Sequence, residues 1–386
     1  MKYKEITTDY WFTIEPYVFI SIVNNSLLLY NTLDGKTIES DKADVIELLG
    51  EILKKENCGV TLLKKEVYKH DDINAFVCEL REKFMGDVID VSLSKGKPVQ
   101  LLPFFNLSNK HELYKKMNFS PRKNILENLS EISIYVDCKT DEANLISFFK
   151  SLPDRLIINI ISDMNILVNY SELLSFFYRY SSSKNIICSY DTILPLPSIF
   201  KNIFSYRVSV DFPIDIDKWN DSKQTLLNQA LSFEYVFDVS TMEEYELIEQ
   251  FVEEFSIEKY RINPIYTGSN LSFFEKNVFL TKDDILSTSM TVKKIFANQA
   301  INLFDFGKIT IMSNGDAYAN VNYPLLGNIY THSIHEIVYN EIEKGKSWLR
   351  IRNQSPCDNC VYQWICPSPS NYEIAIGRSN LCHVIK

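Results

Sequence analysis

The first forty residues alternate short apolar runs with turn signals. From Trp11 to Ser40 the chain contains the runs YVFISIV, SLLLYNT and KTIES, separated by NN and LDG. Runs of this length between turn-forming residues indicate β-hairpins. The next segments, DKADVIELLGEILKK and HDDINAFVCELREKFMGDVID, repeat apolar residues at helical spacing, and an Asp caps the first. Three strands followed by helices predict a winged-helix-like module over residues 1–95.

Six β-rich runs follow between residues 130 and 268, namely EISIYVDC, RLIINIIS, NIICSYDT, YRVSVDFP, EYVFDVST and YRINPIYT. Helical patterns such as SELLSFFYRY and TMEEYELIEQFVEEF separate most of them. Apolar strands that alternate with helices predict βαβ units and a parallel sheet. We therefore expect an α/β fold in which residues 128–300 form a partial (β/α)6 barrel of the TIM type, reached through a connector over residues 96–127.

The pattern changes again after Ala300. The segment GKITIMSNGDAYANV predicts a β-hairpin, because NGD is a strong turn signal. Four of the eight cysteines follow it near the end of the chain. Residues 301–386 are therefore expected to form a third domain that combines a hairpin with a metal site.

The composition limits the classes of partner. The chain has 386 residues, 46% of them apolar, and a formal net charge of −10, so it can bury a sizeable core. Nucleic-acid and anionic-membrane binders need a basic surface, so we expect no partner of either class. No stretch is long and uncharged enough to span a bilayer, and the N-terminal residues lack a signal-peptide pattern. These features favour a cytoplasmic protein.

The clustered cysteines are spaced C-x2-C-x5-C-x15-C, at Cys357, Cys360, Cys366 and Cys382. In a reducing compartment, such a cluster indicates metal or redox chemistry more often than disulfides. Four thiolates suit a 4Fe–4S cluster or a structural zinc. Zinc usually takes a second C-x2-C pair, which this stretch lacks, so the spacing favours the iron–sulfur cluster; zinc and unligated thiols remain alternatives. The other cysteines, which stand singly on helix or strand patterns, are expected to be small buried apolar residues: Cys58, Cys78, Cys138 and Cys188.

Residues 304–382 resemble the SPASM domain of peptide-modifying radical S-adenosylmethionine enzymes. The resemblance rests on FDFG, SNGDAYAN, LLGNIYTHSIHEI and the cysteine stretch, which occur in the family's order. It implies that the four clustered cysteines hold the family's second auxiliary 4Fe–4S cluster. The ligands of the first auxiliary cluster would fall at Phe304, Asn320 and Ser370, which are poor substitutes for thiolates. The resemblance therefore implies one cluster rather than two.

The barrel departs from the same family at its cofactor motifs. Radical S-adenosylmethionine enzymes bind their catalytic cluster with CxxxCxxC after the first barrel strand, whereas this chain reads CKTDEANLISFF, with Cys138 alone. The family's GGEP corresponds here to SDMN, while VSVDFP still resembles its SxDG. One thiolate cannot hold that cluster, so no S-adenosylmethionine binding or radical chemistry is expected. The whole pattern resembles pseudo-radical-SAM proteins encoded beside peptide-maturation systems.

The N-terminal pattern resembles the RiPP recognition element, which binds the leader of a ribosomally made precursor peptide. In that family the leader pairs with the third strand and packs against the last helix, a case of β-augmentation. The resemblance implies a peptide-binding site at the strand residues Lys36, Thr37, Ile38, Glu39 and Ser40, and at the helix residues Ile73, Val77, Leu80 and Phe84. The helical spacing of the second group fits equally well a stripe of the module's own core.

Together these resemblances imply a non-catalytic iron–sulfur protein of peptide maturation. It would bind a precursor leader and present it, as part of a hetero-oligomer, to a separate active radical S-adenosylmethionine enzyme. Two alternatives remain. The chain is an iron–sulfur redox protein or an enzyme that uses the barrel mouth with another cofactor, or it is a zinc-stabilised scaffold without metal chemistry.

Overall fold

The computed structural model describes residues 8–100, 102, 125–180, 182–197, 200 and 203–384. Most of the connector predicted over residues 96–127 lies outside these residues. The described chain contains a nine-stranded, largely parallel sheet and two three-stranded antiparallel sheets, with helices between the strands. The predicted α/β class is confirmed.

The N-terminal part forms two small antiparallel sheets, with strand orders β5-β1-β6 and β2-β3-β4. The second contains the three strands predicted from the hairpin pattern. The helix that follows this sheet, α1 (Ala43–Ile52), begins after Lys42 rather than after the predicted cap Asp41. The elements are β1 (Tyr10–Ile14), β2 (Val18–Val23), β3 (Ser26–Asn31), β4 (Thr37–Ser40), α1 (Ala43–Ile52), β5 (Val60–Leu63), α2 (Lys65–Tyr68), α3 (Asp71–Glu82) and β6 (Gly86–Asp90).

The second predicted helix is shorter than its pattern suggested. It ends at Glu82, Phe84 adopts a left-handed backbone with φ of 55°, and the residues from Gly86 form β6. Gly86 pairs with Ile14 of β1. A Cβ at this position would lie 2.6 Å from the carbonyl oxygen of Thr13, so only glycine permits so close an approach.

All six β-rich runs of the middle segment are parallel strands that pair in chain order, β12-β11-β10-β9-β8-β7. The strands are β7 (Glu131–Tyr135), β8 (Ile157–Ile161), β9 (Lys184–Ser189), β10 (Ser205–Val210), β11 (Ser232–Val239) and β12 (Tyr260–Pro264). The intervening helices are α4 (Glu142–Phe149), α5 (Met164–Leu167), α6 (Ser171–Arg179), α7 (Ile216–Asn228) and α8 (Met242–Glu254). Thr241 and Glu244 form a capping box that fixes the start of α8.

The two faces of this parallel sheet differ in polarity. One face is apolar and packs with residues of α4, α6, α7 and α8 in one large core. The other carries polar side chains that bond across neighbouring strands: Asn159 donates to Glu131 at 2.7 Å, Asn185 donates to Asn159 at 2.8 Å, and Arg207 bonds to Glu234 at 3.0 Å. Parallel sheets are usually apolar on both faces, so this hydrogen-bonded polar face is a distinguishing feature.

The C-terminal part extends the same sheet from β7. Strand β13 (Lys308–Ile311) runs parallel to β7 and forms the predicted hairpin with β14 (Asp316–Tyr318), which pairs with β15 (Gly327–Asn328). Gly315, in the predicted turn, has φ of 88°. The remaining helices are α9 (Leu271–Asn277), α10 (Lys282–Ser287), α11 (Val292–Asn298), α12 (Ile334–Lys344) and α13 (Asn371–Ile376).

Sheet β2-β3-β4 is covered on both faces. Val18, Ile20 and Leu29 pack into the N-terminal core with α1 and α3. Phe19, Leu28 and Tyr30 point the other way, into a second core that we call the junction core. Its other buried members come from the C-terminal half of the chain, at Ile285, Met290, Ile295, Tyr362, Ile365 and Cys366.

The isolated cysteines differ from expectation. Cys188 is buried, as predicted, but Cys58, Cys78 and Cys138 are exposed. The prediction failed because a cysteine on a helix or strand pattern does not reveal which side of the element faces solvent. In the described part of the chain, no helix combines the length and apolar character needed to cross a membrane.

Glu341 makes the stability of the C-terminal part depend on pH. Its carboxylate is buried and accepts hydrogen bonds from the backbone of Ser347 and Trp348 at 2.9 and 2.8 Å. Burial nevertheless raises its pKa from 4.5 to about 7. Because the folded state then holds a proton that the unfolded state has released, stability falls as pH rises from about 4.5 to 7.

We therefore expect the free energy of unfolding to fall between pH 5 and pH 8 more steeply in the wild type than in Glu341→Gln. The rise in pKa corresponds to about 3 kcal/mol at most. Urea unfolding at the two pH values measures the difference, with the exposed Glu343→Gln as the control. Equal falls for wild type and Glu341→Gln would show that Glu341 ionises freely in the folded protein.

Candidate functional site

The four clustered cysteines line one small cavity of about 20 Å³, together with Arg352, Leu280 and the residues around Tyr362. Cys357 begins a short 3-10 turn, and Cys360 follows directly after it. Cys366 closes a turn in which its N–H donates to the carbonyl of Tyr362 at 2.9 Å. The structure therefore brings the four cysteines together around one cavity.

Cys382 reaches the cavity through a backbone bridge to the loop before α10. Leu280 donates to the carbonyl of Leu381 and accepts from the N–H of His383, both at 2.9 Å. Cys357 and Cys366 are buried, while Cys360 and Cys382 are half-buried. Among the described residues, no three His, Cys, Asp or Glu side chains are grouped so that they hold a single metal ion.

Arg352 places a buried positive charge beside these thiols. Its guanidinium lies 3.7 Å from the sulfur of Cys357 and 2.9 Å from the carboxylate of Glu373, and it also donates to backbone carbonyls, including that of Ser368. Burial raises the pKa of Cys366 to about 12 and raises those of Cys357 and Cys360, although the Arg352 charge acts in the opposite direction. These three thiols are thus protonated at neutral pH, and a metal bound by them must displace their protons.

The cysteine cavity is joined to the N-terminal sheet. Cys366 and Tyr362 pack against Phe19, Leu28 and Tyr30 in the junction core. At its edge Lys282 lies 2.6 Å from Glu39 of β4 and 5.8 Å from the ring centre of Tyr362. The predicted metal site and the predicted peptide-binding strand are therefore parts of one packed unit.

Of the three positions expected for ligands of the first auxiliary cluster, Asn320 belongs to a buried polar network. Asn320 is buried and donates to Asp305 at 3.2 Å and to Asn371. Asp305 also accepts from the Ser347 hydroxyl at 2.7 Å. Ser370 caps α13, while the Phe304 side chain is exposed. The sequence reading treated these positions only as lost ligands and missed the hydrogen bonds that replace them.

The two loops predicted to lack the cofactor motifs, after β7 and after β8, contain short polar contacts. Cys138 follows β7 and is exposed. The neighbouring Asp137 accepts a hydrogen bond from Ser313 at 2.7 Å. In the SDMN segment, Asp163 caps α5 by accepting from the N–H of Asn165 at 2.7 Å. These hydrogen bonds of Asp137 and Asp163 stabilise the conformations of the two loops.

The predicted peptide-binding strand β4 is an edge of its sheet. The N–H of Asn31 donates to the carbonyl of Lys36 at 2.8 Å, and β3 and β4 are antiparallel, with Leu29 opposite Ile38. Since hydrogen bonding alternates along such a pair, the backbone of Ile38 faces Leu29, and those of Thr37 and Glu39 face outward. The Thr37 carbonyl accepts from the Lys83 ammonium at 2.8 Å.

The residues predicted for the helix face are divided between the N-terminal core and the surface. Ile73, Val77 and Leu80 are fully buried in the N-terminal core, so the alternative of a core stripe describes their position. Phe84 lies beyond the end of α3 and is 71% exposed. Of these four side chains, only Phe84 is exposed, and the Lys36 ammonium at the start of the β4 edge lies 5.8 Å from its ring centre. The helical spacing indicated their common side but not what covers it.

Sequence reasoning also missed a carboxylate pair at the carboxyl ends of β10 and β11. Asp238 accepts from Ser209 at 2.7 Å and from Asn263 at 2.6 Å. Burial and a hydrogen bond to Asp238 raise the pKa of the adjacent Asp211. An Asp near the end of each run, in VSVDFP and FDVST, was the available signal, because neighbouring parallel strands bring their carboxyl ends together.

Comparison with known proteins gives only distant structural similarity. No family model matches the sequence, and no curated protein matches it. A solved structure described as native anSMEcpe with bound AdoMet and Cp18Cys peptide is 12% identical, with a TM-score of 0.43, and the match covers 61% of this chain and 88% of that one. A second, described as native anSMEcpe with bound AdoMet, is 11% identical, with a TM-score of 0.42 and coverage of 61% and 88%.

Proposed function

We propose that this protein is a non-catalytic iron–sulfur partner in the maturation of a ribosomally made peptide. It binds the leader of the precursor and presents the peptide to a separate, active radical S-adenosylmethionine enzyme. The observation that carries the proposal is the junction core, where the cavity lined by four cysteines packs directly against the sheet that contains the predicted peptide-binding edge. A metal site in this place stiffens the surface that holds the peptide.

The spacing of the four cysteines favours a 4Fe–4S cluster over zinc, because the chain lacks the second C-x2-C pair that zinc usually takes. Cys357, Cys360, Cys366 and Cys382 would hold the cluster, and Arg352 would offset part of their negative charge. When bound, the cluster supplies structural cross-linking and the capacity to carry one electron.

One cluster and no radical chemistry form part of the same proposal. The network of Asp305, Asn320 and Ser347 satisfies buried polar groups without a metal where the family has its first auxiliary cluster. Cys138 is the single cysteine of the loop after β7. In this reading, residues 128–300 are a degenerate partial (β/α)6 barrel, residues 301–386 are a SPASM domain, and residues 1–95 are a recognition element with a winged-helix character.

The edge of β4 supports peptide binding by strand addition. Its outward-facing Glu39 backbone is positioned to pair with an extended leader, in the mode where the main chain provides most of the affinity. Lys36 and Ser40 mark the two ends of this edge. The Ile38 side chain is buried in the N-terminal core together with Ile73, Val77 and Leu80. In this proposal these residues hold β4 in place and do not contact the peptide.

The test uses full-length protein purified without oxygen. Fluorescein-labelled copies of the short peptides encoded beside this chain's gene are titrated into it, with scrambled copies as controls. We expect one peptide to bind with a Kd of about 1 μM or below, about −8 kcal/mol. The neighbouring radical enzyme should modify that peptide faster when this protein is present. Absence of binding to every such peptide would contradict the proposal.

The Asp211–Asp238 pair favours one alternative, an enzyme that works at the mouth of the barrel. A carboxyl group with a raised pKa beside a second carboxyl group is a common arrangement for acid–base chemistry. The variant Asp211→Asn, mixed with the peptide and the neighbouring radical enzyme, distinguishes a partner protein from an enzyme. A partner protein keeps both peptide binding and the stimulation of the radical enzyme, whereas an enzyme keeps binding and loses product.

A further inference from the structure

A second cavity, of about 670 Å³, adjoins the cysteine cavity and shares Arg352 with it. Its wall comes from two segments, within residues 346–355 after α12 and within residues 369–379 around α13, together with Tyr323. Cavities of about 300–1,000 Å³ are typical of sites that bind small molecules. The chemistry of this wall therefore indicates which class of molecule it fits.

The wall of this cavity is rich in positive charge. Among the described residues that line it, four are cations and one is a carboxylate: Lys346, Arg350, Arg352 and Arg378, and Glu373. The chain as a whole has a formal net charge of −10, so this excess of cations runs against the balance of the protein. Cations gathered around a cavity attract anions and raise their local concentration. We call this site the basic cavity.

Two of the four cations are paired with carboxylates, in different ways. Arg352 lies 2.9 Å from Glu373, and both side chains are buried. Arg378 lies 3.4 Å from Glu275, but both of these side chains are nearly half-exposed, and exposed ion pairs are weak. Arg352 therefore belongs to the structure of the wall, whereas Arg378 can exchange its partner for a ligand.

Arg350 has the charge that its surroundings compensate least well among the buried cations of the wall. Its side chain is only 14% exposed, and it donates to the backbone carbonyls of Pro369 at 3.0 Å and Ser370 at 3.2 Å, which carry no net charge. Its carboxylate neighbour, Asp305, lies 3.5 Å away. Among the described residues, its buried Nε has no hydrogen-bond partner. The guanidinium therefore retains uncompensated charge and one unused donor.

The rest of the wall is partly apolar. Leu349, Ile351 and Ile374 line the cavity, and the ring centre of Tyr323 lies 5.8 Å from the guanidinium carbon of Arg350. Binding sites for small molecules usually combine such apolar surface with a few polar groups that fix the orientation of the ligand. The basic cavity thus fits a molecule that has both an anionic group and an apolar part.

We propose that the basic cavity binds a small organic anion through a carboxylate or phosphate group. Guanidinium groups match the oxygens of both anions, so Arg350 and Arg378 bind the oxyanion, with Lys346 adding charge. Because Arg352 also lies 3.7 Å from the sulfur of Cys357, the ligand site and the cysteine site share one wall residue. The proposal rests on the charges of the cavity and is independent of any peptide.

The experiment is a calorimetric titration of the full-length protein, purified without oxygen, at constant ionic strength. Phenyl phosphate and benzoate are the probes, because they join the same apolar ring to the two candidate anionic groups. Benzyl alcohol is the neutral control. We expect at least one of the two anions to bind with a Kd below about 1 mM, and benzyl alcohol not to bind.

Variants locate the bound anion. Lys346→Gln combined with Arg378→Gln should weaken it about tenfold, since both residues are exposed and line the cavity. Lys259→Gln combined with Lys293→Gln removes the same two charges from exposed positions outside the wall and should leave the Kd unchanged. Arg350→Lys keeps the charge but loses the planar fork, and it should also weaken binding about tenfold. Circular dichroism checks its folding, and the exposed pair decides if it unfolds.

The possible outcomes separate clearly. Binding of phenyl phosphate alone assigns the site to phosphate compounds, and binding of benzoate alone assigns it to carboxylates. Failure of both anions to bind at about 10 mM overturns the proposal. Equal weakening by the cavity pair and the control pair also overturns it, because the anion then responds only to the overall charge. None of these results depends on peptide binding, so the proposed function stands or falls separately.

Discussion

Replacing Cys366 with serine should reduce bound iron from about four atoms per chain to fewer than one. Cys366 is a buried thiol that lines the cavity and also packs in the junction core. A serine hydroxyl is a poor ligand for iron–sulfur clusters, so the remaining three thiols do not retain the cluster. Iron and acid-labile sulfide analysis after anaerobic purification, together with absorbance near 400 nm, provides the measurement.

Cys138→Ser is the matched control, because Cys138 is exposed and lies outside the cavity. It should keep the iron content of the wild type. Wild-type protein with about eight irons per chain would contradict the single cluster. Protein that contains zinc and no iron would support the zinc alternative instead. Because metal binding contributes to folding free energy, Cys366→Ser should also lower Tm by roughly 10 °C. An unchanged Tm would mean that the metal has no structural role.

Ile38→Pro should unfold sheet β2-β3-β4, whereas Glu39→Pro should leave it folded. The backbone of Ile38 bonds to Leu29 and its side chain is 1% exposed. Proline at this position removes a ladder donor and a buried side chain, at a cost of about 3 kcal/mol or more. Glu39 faces outward and loses an exposed pair with Lys282, which costs about 1 kcal/mol or less.

Urea unfolding of the two full-length variants, followed by circular dichroism, measures this difference. Equal stabilities would mean that the register of β3 and β4 is shifted by one residue, because a shift of that size exchanges the inward and outward positions. The same pair of variants then serves in the peptide titrations, where only the folded Glu39→Pro protein is informative. Loss of leader binding in that variant supports strand addition at β4.

The sequence predicted the elements whose pattern is set locally. Six apolar runs became six parallel strands in chain order, and NGD formed the turn of a hairpin. Strands β1, β5 and β6 were missed, because four or five residues carry too little periodicity to be distinguished from loops. The role of Gly86 was also not predictable, because it depends on the close approach of β1, which the sequence pattern does not show.

The site was predictable in part. The spacing of the cysteines indicated a shared cavity, since Cys357, Cys360 and Cys366 are only three and six positions apart in the chain. The burial of Ile73, Val77 and Leu80 was not predictable, because a helical stripe indicates a common side without identifying what lies against it. Networks such as Asp305 with Asn320, and pairs such as Asp211 with Asp238, join residues 15 or more positions apart. Single-sequence reasoning detects such contacts only when a motif marks them.

The junction core has a practical meaning for dissection of this protein. Phe19, Leu28 and Tyr30 are almost fully buried, and the other buried residues described in their core come from the C-terminal half. A fragment cut at the predicted boundary near residue 95 would expose these three large side chains on a sheet that also has two edge strands. Such a fragment should self-associate, and adhesive surfaces created by the cut would dominate any affinity measured on it.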